Sequence, residues 1–322
     1  MKILVTGGAG FIGSNYILEG IKSENEIVCL DKLTYAGNIS TLSCVMDSPL
    51  FQFVQGDIAD RDLVFQLFEK ERFDAVVNFA AESHVDRSIV SSSEFVRTNI
   101  VGTQVLLDAA LQYQVRFHQV STDEVYGQLP LDDGDSAFTE KSPLNPSSPY
   151  SASKAGADLL CIAYYKTHGL FVTVSRCSNN YGPYQFPEKF IPVMIIKALH
   201  DEKLPIYGTG RNVRDWIHVH DHNRAINLIL DKGKPGEVYN VGACCQRNNL
   251  SLAKDILSIM GKSHSLLSFV EDRKGHDLRY AIDPSKIESE LGFQSSIDFS
   301  QGLEDTVKWY LDNQDWWGPL NE

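Results

Sequence analysis

Lys2-Ile3-Leu4-Val5-Thr6-Gly7-Gly8-Ala9-Gly10-Phe11-Ile12-Gly13 opens the chain, and its reading decides the fold. A strand-forming run enters spaced glycines and then a helical period. Gly7 allows a tight turn, Gly10 lets the backbone approach a pyrophosphate, and Gly13 lets helix pack against strand. A phosphate there meets the unpaired N–H groups and positive dipole end of the helix. Asp31 follows about 20 residues on, at the end of the second β-like run, as a dinucleotide site requires. It is placed to bond a ribose 2′-hydroxyl and repel a 2′-phosphate, which favours NAD over NADP. Its neighbour Lys32 belongs to the same site and pulls the other way. In Gly56-Asp57-Ile58, Asp57 either bonds the adenine amino group or caps the next helix.

Outward from this turn, apolar runs over 2–6, 26–30, 51–54, 75–79, 117–121 and 171–175 read as strands buried on both faces. Helical periods over 11–22, 62–71, 94–112 and 151–168 alternate with them. This alternation predicts an α/β fold, a Rossmann-like doubly wound parallel sheet. After Cys177 the texture changes: 179–183 is a turn-rich break, 238–241 a strand returning to the main sheet, and 303–311 a late amphipathic helix. The expected division is an NAD-binding domain over 1–177 plus a returning segment near 215–241. A smaller, discontinuous C-terminal substrate domain takes 178–214 and 242–322.

The net charge of −13 over 322 residues argues against a nucleic-acid partner, which demands a basic face. No run approaches the roughly 20 apolar residues of a membrane span. The N-terminus carries no signal-peptide pattern, so the expected location is cytoplasmic. The six cysteines lack metal-ligand spacing; Cys29, Cys161 and Cys177 read as buried thiols, and Cys244-Cys245 as reduced. His84 and His222 have no third ligand at suitable spacing, so no metal is expected.

The chemistry lies in two stretches. Tyr150 and Lys154 are four apart, hence on one helix face. An ammonium beside a phenol lowers its pKa and makes it a usable base for removing a hydroxyl proton during hydride transfer. Ser121-Thr122-Asp123-Glu124-Val125-Tyr126-Gly127 adds Thr122, able to hydrogen-bond an oxygen becoming a carbonyl, and two adjacent acids. Oxidation alone needs neither acid. Losing water from the oxidised product needs both: a base for a C–H proton and an acid for a departing hydroxyl. Consecutive strand residues face opposite ways, so both reach one site only if the strand ends before Asp123. The plain alternative is two solvated loop acids.

Together with Ala80-Ala81-Glu82-Ser83-His84-Val85-Asp86-Arg87-Ser88, Arg214-Asp215-Trp216 and the stretches 31–38, 148–155, 179–189 and 275–280, these motifs resemble the extended short-chain dehydrogenase/reductase family. Within it they resemble the nucleotide-sugar 4,6-dehydratases that act on dTDP-glucose; Thr-Asp-Glu before Tyr-Gly separates these from sugar epimerases. The resemblance implies that Tyr150 takes the C4 hydroxyl proton, Glu124 the C5 proton, and Asp123 protonates the departing C6 hydroxyl. It implies that Phe11, Ile12, Thr34, Ile58, Phe79, Ala80, Ala81, Thr98 and Asn180 line the NAD site. Ser83, Thr122, Asn179, Lys189, Phe190, Tyr207, Arg214, Asn249, Arg273 and His276 would hold the nucleotide sugar. It also implies a homodimer joined through helices 94–112 and 151–168. His220, Cys245-Gln246 and Lys274 depart from the family pattern and bear on the base or sugar, not on the reaction. A dehydratase for UDP- or CDP-glucose, a 4-epimerase and a non-catalytic nucleotide-sensing subunit remain as alternatives.

Overall fold

The apolar run after Met1 forms β1 (Lys2–Thr6), and the glycine turn feeds α1 (Phe11–Lys22). A computed structural model describes residues 1–134, 136–272 and 275–320. Next come β2 (Glu26–Asp31), β3 (Phe51–Gln55), α2 (Arg61–Glu71), β4 (Ala75–Asn78), α3 (Val85–Val90) and α4 (Ser93–Phe95). A π-helical stretch, Val96–Gly102, joins α4 to α5 (Thr103–Tyr113), followed by β5 (Arg116–Thr122), α6 (Pro149–His168) and β6 (Val172–Cys177). These elements lie within two residues of the sequence expectations. Only the 94–112 helix differs in kind, since it carries the π-helical interruption.

Seven parallel strands stand in the order β10-β6-β5-β4-β1-β2-β3, with β10 (Val238–Val241) at one edge as expected. Alternate side chains of β1 serve opposite layers. Leu4 packs with Val64 and Phe68 of α2, Leu106 of α5 and Cys161 of α6. Ile3 and Val5 pack instead with Tyr16 and Ile17 of α1 and with Ile226 and Leu230. Strand order reverses between β1 and β4, and ligand crevices of open sheets lie beyond the carboxyl ends of the strands at such a point.

The smaller body begins with β7 (Asn179–Tyr181), α7 (Phe190–Leu199), β8 (Leu204–Tyr207) and β9 (Val213–His218). The stretch read as a turn-rich break is thus first a strand. Turn geometry arrives after it, with Gly182 at φ +139° and Tyr184 at +67°. β9 pairs with β7 and with β11 (Gln246–Asn248), whereas α8 (Val219–Lys232) packs on the large sheet beside α1. Then follow α9 (Asn249–Ile259), β12 (Leu267–Val270) beside β8, α10 (Ser285–Leu291), α11 (Phe299–Asp312) and α12 (Gln314–Trp317). Ile191 and Ile195 of α7, Leu252 and Ile256 of α9, and Leu303 and Val307 of α11 share its core.

Candidate active site

Every residue expected at the cofactor lines one cleft, from Gly7, Gly10, Phe11, Ile12 and Gly13 through Asp31, Lys32, Thr34, Asp57, Ile58, Phe79, Ala80, Ala81 and Thr98 to Tyr150, Lys154 and Asn180. Gly7 sits at φ +67°, and a Cβ there would stand 2.5 Å from the Ala80 amide nitrogen. A Cβ on Gly13 would lie 2.5 Å from the Gly7 carbonyl, so the helix packs on the turn itself rather than on the strand. On Gly10 it would meet only that carbonyl, at 3.3 Å, leaving the peptide open to a ligand. Gly7→Ala is therefore expected to lower stability by about 1–3 kcal/mol and weaken NAD binding, read by urea unfolding and cofactor titration.

Asp31 accepts hydrogen bonds from the Ala9 amide at 2.9 Å and the Leu33 amide at 2.8 Å. It thereby fastens the glycine turn to the end of β2. Burial raises its pKa against the pull of those amides. Lys32 pairs with Asp57 at 3.1 Å, which engages the charge that would otherwise attract a 2′-phosphate. Asp57 also accepts from the Ala59 amide and pairs with Arg97 at 3.2 Å. These partners hold its carboxyl low although burial opposes them. Helix α2 is capped by Asp60, not Asp57, because Asp60 reaches the Leu63 amide.

β5 ends at Thr122, and Asp123–Tyr126 form a tight helical turn closed by Gly127 at φ +85°. The strand thus ends before Asp123, and both acids line the cleft with Thr122, Tyr150 and Lys154. Asp123 is 3% exposed, which rules out a solvated loop acid. One of its oxygens accepts from the Thr122 hydroxyl at 3.2 Å, and the other is buried with no partner among the described residues. Burial, then the nearby Glu124 and Asp215 carboxylates, push its pKa well above the usual range. A carboxyl so placed keeps its proton and can donate it.

Tyr150 departs from the expectation. Burial, then Glu124, raise its pKa well above that of an ordinary phenol, and the Thr122 hydroxyl only partly offsets them. The Lys154 ammonium donates at 2.7 Å to the Val120 carbonyl. Burial lowers the lysine's pKa against the pull of Asp158.

Of the residues expected at the sugar nucleotide, Ser83, Thr122, Asn179 and Lys189 line the cleft, with Lys189 donating to the Ser83 carbonyl at 3.3 Å. Phe190, Tyr207, Arg214, Asn249 and His276 lie off that wall. Arg214 stacks over Tyr280 at 4.3 Å and donates to the Asp277 carbonyl, while Tyr207 and His276 bring their rings together at 6.5 Å. Phe190 opens α7 beside Lys189, and Asn249 opens α9 with its amide on the Asn212 carbonyl. Arg273 and Lys274 fall outside the described residues. His220 meets Glu19 of α1, across the large sheet's helices rather than in the cleft.

Sequence reasoning missed several cleft residues, among them Ser121, Cys177, Ser178, Gln185 and Phe186. Cys177 ends β6 and Ser178 follows it, and strand ends mark the crevice. Asn179 and Gln185 each bury a side-chain oxygen lacking a partner among the described residues, as Asp123 does. Buried polar atoms in folded proteins nearly always find partners, so this wall is built to receive a polar ligand.

Comparison with known proteins places this cleft in a family. Residues 4–306 match the family described as GDP-mannose 4,6 dehydratase. The chain belongs to that family. Among its similar relatives, a dTDP-glucose 4,6-dehydratase from Actinoplanes is 51% identical over 98% of this chain and 100% of its own. Another from Streptomyces niveus is 49% identical over 99% and 96%. The crystal structure of DesIV, a dTDP-glucose 4,6-dehydratase from Streptomyces venezuelae with NAD and TYD bound, superposes with a TM-score of 0.95 at 49% identity, covering 99% and 100% of the two chains. A UDP-glucose 4-epimerase from Thermotoga maritima reaches 0.90 at 29% identity over 97% and 99%. This chain, DesIV and that epimerase thus share one extended short-chain dehydrogenase/reductase architecture.

Proposed function

We propose that the chain is an NAD-dependent hydro-lyase, a dTDP-glucose 4,6-dehydratase. The observation that carries the reading is Asp123, buried with its pKa pushed up by burial, beside Glu124 in the cleft of Tyr150 and Lys154. Gly10 at the turn and Asp31 at the end of β2 suit the cofactor's pyrophosphate and ribose. NAD, when bound, accepts the C4 hydride, returns it at C6, and brings a positive ring into the cleft that favours the Tyr150 phenolate. Tyr150 takes the C4 hydroxyl proton while Thr122 holds that oxygen. The C4 ketone acidifies C5, and Glu124 removes its proton. Asp123 protonates the C6 hydroxyl, which leaves as water. Glu124 then gives its proton back to C5. Tyr150 ends one proton richer and Asp123 one poorer, so exchange with solvent resets both. Ser83, Asn179 and Lys189 hold the nucleotide sugar on the cleft wall, with Phe190, Tyr207, Arg214, Asn249 and His276 completing its site.

A panel of dTDP-, UDP- and CDP-glucose with mass analysis of products and no added reductant tests this. dTDP-glucose is expected to lose water; no loss would sink the assignment, and preference for another nucleotide would reassign the substrate. The protonated form of Asp123 is the working one, and its raised pKa carries that form upward in pH. Turnover should therefore fall as pH climbs through that raised value, and a kcat that keeps rising into alkaline solution would contradict the role.

The large sheet with its helices acts as the NAD-binding domain and the 178–214 and 242–322 segments as the substrate domain. In support of a homodimer, Val96, Val101 and Leu159 on the two helices expected to pair are exposed, whereas Val105 and Leu106 are buried within the chain. A monomeric mass by light scattering would rule that out. Among the described residues no helix is long and apolar enough to cross a membrane.

A further inference from the structure

The acid-bearing turn is held by groups that never reach the cleft. Tyr126, its last residue, is 2% exposed. Its hydroxyl donates to Asn240 Oδ1 of β10 at 2.7 Å and accepts from Arg176 Nη1 of β6 at 3.0 Å. Arg176 Nε in turn donates to Asp158 Oδ2 at 2.9 Å. Asp158 lies on α6, the helix that carries Tyr150 and Lys154. The Tyr126 ring stacks on Phe138 at 5.1 Å with an interplanar angle of 17°, and the Arg176 guanidinium lies over the Tyr126 ring, 4.9 Å from its centre. Asn240 is fixed as well, its amide nitrogen on the Phe138 carbonyl at 2.9 Å and its backbone N–H on Glu140 at 2.8 Å.

A buried ion pair adds little net stability over apolar packing, and a phenylalanine would fill the place of Tyr126 without needing polar partners. What the network supplies is geometry. It ties the turn bearing Asp123 and Glu124 to the helix bearing Tyr150 by a chain of directional bonds, Tyr126 to Arg176 to Asp158. None of these three residues lines the cleft: Tyr126 and Arg176 reach the reaction through the turn that bears the acids, whereas Asp158 also acts on Lys154.

We propose that Tyr126 and Arg176, anchored to α6 through Asp158, are positioning residues that set Glu124 and Asp123 against the sugar for the elimination step, an inference that rests on the dehydratase reading. Loosening the clasp at Tyr126 leaves the oxidation step in place, because Thr122 is fixed by β5 and Lys154 keeps both its bond to the Val120 carbonyl and Asp158 beside it. Loosening the turn should therefore separate the two halves of the reaction, whereas a general loss of structure would not.

Tyr126→Phe removes one oxygen and tests this. A displacement of about 1 Å at reacting groups costs on the order of 10²-fold, so kcat for water loss should fall by about that factor. KM for dTDP-glucose and the single-turnover rate of cofactor reduction should stay at wild-type values. Exchange of solvent deuterium into C5 should fall in step with water loss. Arg176→Lys keeps the charge facing Asp158 but lacks the fork that reaches Tyr126 too, and it should show the same split if Tyr126→Phe fails to fold. Equal slowing of oxidation and elimination, a raised KM with unchanged kcat, or wild-type turnover in both variants would overturn the proposal. Wild-type protein run alongside separates the two readings. If it releases water and the variants match it, the clasp alone fails; if it releases none, the dehydratase reading fails and the clasp with it.

Discussion

Replacing Glu124 with Gln is expected to stop the reaction between its halves. The amide matches the carboxylate in size but cannot take the C5 proton. Thr122, Tyr150 and Lys154 are left in place, so C4 oxidation proceeds and reduced cofactor accumulates. Loss of a general base costs about 10²- to 10⁴-fold, and kcat for water release should fall within that range. Near-ultraviolet absorbance follows the cofactor, and proton exchange at C5 by nuclear magnetic resonance should be abolished. Normal turnover in the variant would remove Glu124 from its role.

Tyr150→Phe should fail earlier. Without the phenol oxygen the base assigned to the C4 hydroxyl is gone, and the Lys154 ammonium, donor only and held on the Val120 carbonyl, cannot take its place. Cofactor reduction itself should fall by about 10²- to 10⁴-fold, the usual worth of a general base, with no accumulation of reduced cofactor. Substrate binding, read by calorimetry, should persist. The pair of variants therefore assigns the steps: one blocks before hydride transfer and the other after it. Accumulation of reduced cofactor in Tyr150→Phe would contradict the assignment.

Much of this was legible in the sequence, because its signals are local. The glycine turn, the helix after it and the doubly apolar strands each declare themselves within a few residues. Asp31 does so by its distance from the turn. The end of β5 was legible only as a condition. What breaks that strand includes Asn145, whose amide bonds the Val125 carbonyl, and whose own carbonyl leaves room at residue 127 only for glycine. Such a contact from a later loop has no local mark. Lys154 shows the same limit: its spacing from Tyr150 places both on one face, but its partner Val120 lies 34 residues back. Asp57 and Asp60 both fit a capping rule, and only the turn geometry chooses between them. The π-helical stretch escaped because its cause is tertiary: it carries the buried Asn99, which bonds the Glu82 carbonyl and Ser153. The smaller body was read least well, since Tyr207 and His276 meet only after two discontinuous segments fold together.

On this mechanism one cleft oxidises, removes water and returns the same hydride. dTDP-glucose carrying deuterium at C4, turned over in ordinary water without added reductant, tests it most directly. The expected product is a 4-keto-6-deoxy sugar nucleotide that has lost one water and carries the original deuterium at C6. A product that keeps its C6 hydroxyl, or one whose C6 hydrogen comes from solvent, would contradict it.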